Sequence, residues 1–338
     1  MSAERSPTAL RRLLIVRTDR LGETLLTLPA VAAARAACPG VSVAFLVHPD
    51  LEPLLAGAPG IDTVLLYDRA WRGAWWRRAI RLAGVLRELE FDAAVVFNPM
   101  KEFHLAVRLA RIPRRVGYTR KWGWCLTCRV PDRKALGERH EVEYNLDLVG
   151  ALLDAAPPPP TPQRLLPALA REQEEVQALL EAQGLPAAEP FAVVHPGSSN
   201  PVKQWPAARY RSLVEALAAR MAVVLTGGTG ECSLVREACP PGTPRVVDLA
   251  GRLTLRHLAA LLERARVLVA NDSGPVHLAA AVGTPALALF GTPDPAMGPR
   301  RWGPWGAGHT VIWKPTMDAI SVDDVMDAAR QMLDRVTP

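Results

Sequence analysis

The stretch RVLVANDSGPVHLAAAVGTPALALFGT, residues 266–292, has the pattern of a buried strand, a turn, a helix and a second buried strand. Its two strand segments, 266–274 and 285–292, are almost continuously apolar, which is typical of strands covered on both faces of a parallel sheet. Between them, Asp272 or Ser273 is a suitable N-cap for the helix. The free N–H groups of that helix would form an anion site at the carboxyl edge of the sheet. The stretch therefore predicts an α/β fold.

The same alternation extends in both directions from this stretch. Strands are predicted at 13–18, 41–49, 62–68 and 92–99 in the first half, and at 191–197, 221–228 and 245–251 in the second, with helical patterns between most of them. APPPPTPQ, residues 156–163, cannot continue a helix or a central strand because of its four consecutive prolines.

We therefore predict two Rossmann-like, doubly wound domains, 1–160 and 161–320, facing a central cleft, with ligands bound outside the carboxyl ends of the strands. A last helix, 321–338, is predicted to pack back on the first domain.

Composition restricts the class of protein. The chain has 338 residues, of which 49% are apolar and 22% charged, as expected for globular domains and not for a disordered chain. No uninterrupted apolar run of about 18 residues is present, so a membrane span is not expected. The arginines and short apolar run near the N-terminus indicate a first strand and not a signal peptide, so we predict a cytoplasmic protein.

The five cysteines are few, odd in number and scattered, which favours reduced thiols over a disulfide framework. Cys125 and Cys128 form one CxxC pair. A structural zinc site needs two further ligands at suitable spacing, and none is evident. Metal or redox use of this pair is the minor alternative to ordinary thiols.

The net charge of +6 is unevenly distributed. Residues 71–140 hold 16 Lys/Arg and only 6 Asp/Glu. WRGAWWRRAIRLAGVLREL (71–89) places tryptophans and arginines on a predicted helix, and RIPRRVGYTRKWGW (111–124) adds more in a predicted loop. This region, including Arg77, Arg78, Arg114 and Arg115, could bind an anionic lipid-linked sugar or contact the anionic inner face of the cytoplasmic membrane. The alternative is a solvated arginine-rich surface; no nucleic-acid-binding module is visible, so nucleic acid is not predicted as a partner.

A first motif, RTDRLGETLLTLP (17–29), reads as a strand end, a turn and a helix start. Gly22 would allow a tight turn and close approach of the backbone to a ligand. Glu23 near the helix N-terminus could accept a proton from a substrate hydroxyl, or could merely complement the helix dipole. Asp19 and Arg20 in the same loop are rival site residues.

Two further loops have phosphate-binding character. In HPGSSNPVKQWP (195–206), Gly197, Ser198 and Ser199 offer backbone and hydroxyl donors, and Lys203 adds a positive charge that could neutralise a diphosphate. The alternative is a polar loop with a solvated lysine. TGGTGE (226–231) is glycine-rich but is neither GxGxxG nor a P-loop. Its Glu231 could accept hydrogen bonds from ribose or could face solvent.

The motif NDSGPVHLAAAVGTP (271–285) contains one histidine. His277 falls in the first turn of the predicted helix, and a lone histidine there is more often structural than catalytic.

Together these motifs resemble glycosyltransferase family 9, whose best-known members are the ADP-heptose:lipopolysaccharide heptosyltransferases. The resemblance rests on RTDRLGETLLTLPAV, HPGSSNPVKQWP and NDSGPVHLAAAVGTPALALFGTPDP, with VVLTGGTGE and DLAGRLTLRHLAALL in the expected order between them. It spans about residues 13–300. The resemblance implies a GT-B fold and an inverting transfer without a metal. It also implies an acceptor site in the first domain and a nucleotide-sugar site in the second.

The resemblance also implies roles for individual residues. The catalytic set is Glu23 as base, Asp19 as its rival and Lys203 on the donor phosphates. The donor-binding set is Ser198, Ser199, Lys203, Glu231 near the ribose, Leu253 near the adenine, Asp272, Ser273, Gly274 and His277. The predicted acceptor-binding set is Arg20, Gly22, Arg114, Arg115 and Arg120. The family usually has Asp where this chain has Glu23, and the extra methylene can shift the carboxylate by about 1 Å.

The predicted function is therefore transfer of a sugar, heptose from ADP-heptose, to a lipopolysaccharide inner-core or other anionic lipid-linked glycan acceptor, with no cofactor. One alternative is a GT-B transferase or epimerase that uses a UDP or GDP sugar. Another is a non-catalytic nucleotide- or glycan-binding protein of the same fold, since fold alone does not separate these functions.

Overall fold

The structure is a computed structural model that describes residues 10–67, 73–159, 165–166 and 170–336. These residues form two compact units. The first contains the described residues up to Ala135 and those from Glu141 to 159. The second contains Leu136–His140 and everything described from 165 onward. The predicted boundary between 160 and 161, and part of the proline-rich segment 156–163, lie outside the described residues.

The first unit is a six-stranded parallel sheet with helices. Its strands are β1 (Arg12–Val16), β2 (Ser42–Val47), β3 (Thr63–Leu66), β4 (Ala93–Val96), β5 (Arg114–Tyr118) and β6 (Cys128–Val130). Its helices are α1 (Leu21–Leu25), α2 (Leu28–Ala37), α3 (Glu52–Leu55), α4 (Trp75–Glu88), α5 (Lys101–Leu109) and α6 (Glu141–Leu153). The strand order is β3-β2-β1-β4-β5-β6, so the order reverses direction between β1 and β4.

The second unit repeats this architecture. Its strands are β7 (Phe191–His195), β8 (Ala222–Leu225), β9 (Val246–Asp248), β10 (Val267–Asn271), β11 (Ala286–Gly291) and β12 (Thr310–Lys314). Its helices are α7 (Ala170–Glu181), α8 (Ala207–Ala218), α9 (Cys232–Ala238), α10 (Leu255–Arg264), α11 (Gly274–Val282), α12 (Pro299–Trp302) and α13 (Val322–Val336). Single 3₁₀ turns include Pro201–Lys203 and Thr229–Glu231.

The order β12-β11-β10-β7-β8-β9 places the reversal of the second sheet between β7 and β10. All neighbouring strands in both sheets pair in parallel. Both units therefore have the doubly wound strand order of a dinucleotide-binding fold, in which ligands bind at the carboxyl ends of the strands where the order reverses. The prediction of two Rossmann-like domains is confirmed.

The structure corrects the sequence-based assignment in three places. The segment 111–124, predicted as a loop, contains the sheet strand β5, and β6 and β12 were not predicted at all. The C-terminal helix α13 belongs to the second unit, and its packing on the first stays a prediction. Its apolar side chains Val325, Met326, Ala329 and Met332 are buried in the core cluster that also holds α8 residues. Burial of this amphipathic stripe fixes α13 in the second unit.

Among the residues that the structure describes, no helix has the length and apolar character needed to cross a membrane. The five cysteines are free thiols, as predicted; Cys125 is buried and Cys128 is half-buried.

Candidate active-site residues of the two units

In the first unit, the loop after β1 leads directly into α1 at the strand-order reversal. Arg20 is the exposed N-cap residue and has extended backbone, and Glu23 lies in the first turn of the helix. Gly22 is buried within that turn, and its carbonyl accepts a helical hydrogen bond from Leu26 N (2.9 Å). The prediction that Gly22 forms a tight turn is therefore wrong, because its backbone is helical.

Glu23 is half-buried at this edge of the sheet. Burial raises the pKa of its carboxyl above the ordinary value, and the nearby Asp19 carboxylate raises it further. Asp19 itself is paired, since Arg17 Nε donates to its Oδ1 at 2.8 Å. Of the two rival carboxylates, Asp19 is thus held by a guanidinium, whereas Glu23 is half-buried and has a raised pKa.

Arg17 links this loop to α6 through a buried charge cluster that the motifs did not reveal. Its side chain is 4% exposed and lies 3.3 Å from Glu141 Oε1, and Lys134 Nζ lies 2.5 Å from the same oxygen. Burial opposes the charge on Arg17, but Asp19 and Glu141 more than offset it and raise the pKa of the guanidinium. Arg17 is thus a fixed cation at the end of β1. Its partner is 124 residues away in sequence, which no local pattern could indicate.

The three predicted acceptor arginines of the basic region do not lie together. Arg114 and Arg115 pair in register with Ala93 and Ala94 at the amino end of β4, which is the edge opposite to Glu23. Arg114 forms an ion pair with Asp154, and Arg115 Nε donates to Cys125 O at 2.8 Å. Both residues thus lie at the edge opposite to Glu23, and their acceptor-binding role stays a prediction.

Arg120 differs, because it follows the carboxyl end of β5. Its side chain is 57% exposed and its Nε lies 2.6 Å from Asp132 Oδ2.

In the second unit, Asn271 at the end of β10 holds the loop that follows β7. Its side chain is fully buried. Oδ1 accepts from Trp205 N (3.0 Å) and Tyr210 OH (2.9 Å), and Nδ2 donates to Pro196 O (2.6 Å). Asn271 thereby fixes the segment 196–205 at the strand-order reversal, a positioning role that the sequence motif contains but did not reveal.

Lys203 and Asp272, 69 positions apart in sequence, meet at this reversal. Lys203 Nζ lies 2.5 Å from Asp272 Oδ2, and the two side chains are 24% and 9% exposed. Burial raises the pKa of Asp272, and the Lys203 ammonium opposes that shift. Lys203 is therefore held by a carboxylate at the end of β10, and its role on a phosphate stays a prediction.

The residues between β7 and Lys203 differ in exposure. Ser198 is buried, and its Oγ accepts from Asn200 N at 3.3 Å, whereas Ser199 is exposed. A Cβ at Gly197 would collide with the carboxylate of Glu231. That carboxylate accepts from Gly228 N (2.7 Å) and lies 3.6 Å from His195 Nε2. The glycine is thus required by the close approach of Glu231 to the loop backbone.

The N-terminus of α11 lies beside the Lys203–Asp272 pair. Ser273 is the N-cap with extended backbone, but its Oγ donates to Asn271 O (3.0 Å) and makes no capping hydrogen bond. Gly274 is the first helical residue. His277 is 5% exposed, and among the described residues its Nδ1 has no hydrogen-bond partner. Burial lowers the pKa of His277 to about 3, assisted by His140 and Lys203, so the ring is neutral at pH 7.

Leu253 occupies the neighbouring loop, after β9. It is half-buried, and the loop is tied to the one after β8 by Gly251 N, which donates to Gly227 O at 2.9 Å. The predicted donor-site residues of the second unit therefore lie in the loops after β7, β8, β9 and β10, all at the carboxyl edge of one sheet.

The family model described as glycosyltransferase family 9 (heptosyltransferase) matches residues 79–328 of this chain. The chain belongs to glycosyltransferase family 9. The match includes the loops that carry Lys203, Glu231 and Asp272, but it begins after the loop that carries Asp19 and Glu23. Membership in the family makes the chain a glycosyltransferase.

Similarity to individual family 9 proteins extends over nearly the whole chain. The lipopolysaccharide heptosyltransferase 3 of Escherichia coli is 28% identical over 306 residues, which cover 86% of each chain. The crystal structure of a family 9 glycosyltransferase from Veillonella parvula has a TM-score of 0.84 at 21% identity, covering 96% of this chain and 97% of that one. An E. coli heptosyltransferase solved with ADP has a TM-score of 0.74 at 23% identity, covering 95% and 99%. These structures confirm the GT-B fold.

The family 9 chain thus carries two sets of groups with distinct chemistry. The first unit holds a half-buried carboxylate of raised pKa at the end of β1. The second holds an ammonium beside the N-terminus of α11, at the end of β10, and both suit a developing negative charge. Within the described part of the chain, no group of three or more His, Cys, Asp or Glu side chains is placed to hold a metal ion.

Proposed function

We propose that this glycosyltransferase moves heptose from ADP-heptose, with inversion, to a hydroxyl of a lipopolysaccharide inner-core or other anionic lipid-linked glycan. The observation that carries the proposal is the Lys203–Asp272 pair beside the N-terminus of α11. Membership in a family described as heptosyltransferases supports the sugar. The similar E. coli enzyme solved with ADP supports the nucleotide.

The second unit would stabilise the leaving group. As the bond between the anomeric carbon and the diphosphate oxygen breaks, negative charge grows on that oxygen. Lys203 would exchange its contact with Asp272 for the phosphate, and the N–H groups at the start of α11 would donate to phosphate oxygens. The neutral His277 ring, with its buried Nδ1 unpaired, provides a further polar group beside this position.

The first unit would activate the acceptor. The hydroxyl oxygen attacks the anomeric carbon while its proton passes to the Glu23 carboxylate. A raised pKa makes Glu23 a stronger base than an exposed glutamate. Asp19 is held by Arg17 and is the weaker candidate for this role.

The test is calorimetric binding of ADP, UDP and GDP to the wild type and to Lys203→Ala in metal-free buffer. We expect selective binding of ADP that weakens at least about tenfold in the variant, as for loss of one charged hydrogen bond. Arg220→Ala is the matched control, because Arg220 is also ion-paired but precedes β8 at the opposite edge of the sheet. Preference for UDP or GDP would refute the donor assignment, and equal ADP affinity in Lys203→Ala would refute the role of Lys203.

A further inference from the structure

The outer surface of α4 and the loop after β5 carries several large apolar side chains in contact with solvent. Trp76 is 44% exposed, Ile80 53% and Trp124 53%. Trp76 and Ile80 are four residues apart on α4, so they form one stripe on its outer side. The inner side of the same helix is buried through Ala79, Leu82, Ala83 and Leu86. The helix α4 therefore has apolar side chains on two sides, and only one of these sides is buried in the core.

Aromatic contacts connect the helix to the loop. Trp75, the first residue of α4, packs edge-on against Trp122 with ring centroids 4.9 Å apart, and Trp122 lies 5.3 Å from Trp124. Trp122 holds a left-handed backbone conformation (φ 69°), which is uncommon for a bulky residue. The loop is thus folded against the start of α4, and it adds a second exposed tryptophan, Trp124, to the apolar side chains of the helix.

Arginines and lysine surround these rings. Exposed Arg77 and Arg81 flank the stripe on α4, Arg108 of α5 lies 5.0 Å from the Trp124 ring centroid, and Lys121 is exposed in the loop. We call this set the aromatic–basic surface: Trp76, Arg77, Ile80, Arg81, Arg108, Lys121 and Trp124. Arg78 is not part of it, because it pairs with Glu102.

Carboxylates are nearly absent from the segments that form this surface; the exposed Glu88 is the last residue of α4, about two turns beyond Ile80. In 75–87, 101–109 and 119–124 the single acidic residue is Glu102, which is 1% exposed and bonded to Arg78. A surface that combines exposed tryptophan and isoleucine with an excess of cations complements the headgroup region of an anionic bilayer. The apolar rings enter the interface, and the cations remain at the charged headgroups.

We propose that the aromatic–basic surface docks the protein on an anionic phospholipid bilayer. The same unit carries Glu23 at the carboxyl edge of its sheet, and α4 begins at that edge after β3. Docking would therefore concentrate the first unit where a lipid-linked acceptor resides. That consequence rests on the proposed function, whereas the docking itself does not.

The experiment is co-sedimentation of the full chain with phosphatidylcholine vesicles with and without phosphatidylglycerol. We expect salt-sensitive binding to the anionic vesicles. Arg77→Gln with Arg81→Gln should lower the partition coefficient about 30-fold, since each arginine near an anionic surface contributes about 1 kcal/mol. Trp76→Ser with Ile80→Ser should reduce binding without changing its salt dependence.

Matched controls come from the second unit. Arg330→Gln with Arg335→Gln removes two exposed arginines from α13, and Trp313→Ser removes a tryptophan that is 50% exposed on β12. Both should bind vesicles as the wild type does. Thermal unfolding should be unchanged in the surface variants, because their side chains are exposed.

The proposal is overturned if the wild type ignores anionic vesicles or if the surface variants bind as tightly as the controls. It is also overturned if, in sedimentation without vesicles, the wild type is a dimer and the surface variants are monomers, because the surface would then be a dimer interface. An assay of heptose transfer to a water-soluble acceptor fragment, without vesicles, distinguishes failure of the docking proposal from failure of the proposed function. The surface variants should retain this transfer, and its absence in the wild type would refute the proposed function while leaving the vesicle result intact.

Discussion

Because Gly197 lies so close to Glu231, we predict that the single methyl group added by Gly197→Ala destabilises the second unit. An ideal Cβ at Gly197 would lie under 3.0 Å from three atoms of the Glu231 carboxylate, which real side chains do not tolerate. Gly197→Ala should therefore expel the carboxylate from its position beside the loop. The matched control is Gly228→Ala, whose Cβ would lie 3.6 Å from Glu231 Oε2, an ordinary contact at a backbone conformation that alanine adopts.

The expected loss follows from the contacts that the carboxylate makes. Displacement breaks its 2.7 Å hydrogen bond from Gly228 N and its approach to His195. A charged hydrogen bond contributes about 1.5–3 kcal/mol. Because the Glu231 side chain is 26% exposed and water can replace part of the bond, we expect Gly197→Ala to lower the free energy of unfolding by about 1–2 kcal/mol. Gly228→Ala should change it by less than about 0.5 kcal/mol.

The assay is a double-mutant cycle in urea with Gly197→Ala, Glu231→Ala and their combination. If Gly197→Ala acts by expelling the Glu231 carboxylate, it should leave the free energy of unfolding almost unchanged in the Glu231→Ala background. The coupling free energy should then equal most of the single-mutant effect, about 1–2 kcal/mol. Additive effects of the two substitutions, or equal effects of Gly197→Ala and Gly228→Ala, would refute the reasoning.

Three further predictions concern single residues. Because the pKa of Glu23 is raised and catalysis uses its ionised form, the acid limb of kcat/KM should lie above the ordinary glutamate value of about 4.3 and disappear in Glu23→Gln; a wild-type limb at or below that value would contradict it. His277 is neutral when folded, with its pKa lowered to about 3, so the unfolded chain binds the extra proton; unfolding free energy should fall as pH drops from about 6.5 towards 3, and a matching fall in His277→Gln would contradict the assignment. Asn271→Ala leaves buried Trp205 N and Pro196 O without their partner, so chemical denaturation should show a loss of about 3 kcal/mol, and a loss below about 1 kcal/mol would contradict the positioning role.

The fold was largely predictable because most strands are short, nearly continuous apolar runs between helical patterns. The strands that escaped prediction lack that signature. β5 begins with two charged residues, Arg114 and Arg115, whose guanidiniums bind a carboxylate and backbone carbonyls. β12 is an edge strand with alternating exposure along Thr310–Lys314. Whether such a segment forms a strand is determined by its pairing with a neighbouring strand and not by its amino-acid composition.

The candidate donor site was predictable for a topological reason. Parallel strands bring every loop at their carboxyl ends to one edge, so polar residues after separate strands converge without any local signal. Lys203 and Asp272 meet in this way. The positions of the predicted acceptor arginines could not be derived in this way. A run of arginines in sequence was interpreted as one surface, but Arg114 and Arg115 begin β5 at the amino edge and only Arg120 follows its carboxyl end.

The choice between Asp19 and Glu23 shows what the sequence could not supply. Both carboxylates belong to the loop and helix after β1, and the motif alone gives neither a preference. The structure adds the 2.8 Å pair between Arg17 and Asp19, with Arg17 itself buried against Glu141. A carboxylate bound to a guanidinium is already engaged as a hydrogen-bond acceptor, and its charge disfavours ionisation of a neighbouring carboxyl. Asp19 is therefore expected to act on the reaction through Glu23, by raising the pKa of that carboxyl, and not by taking the proton itself.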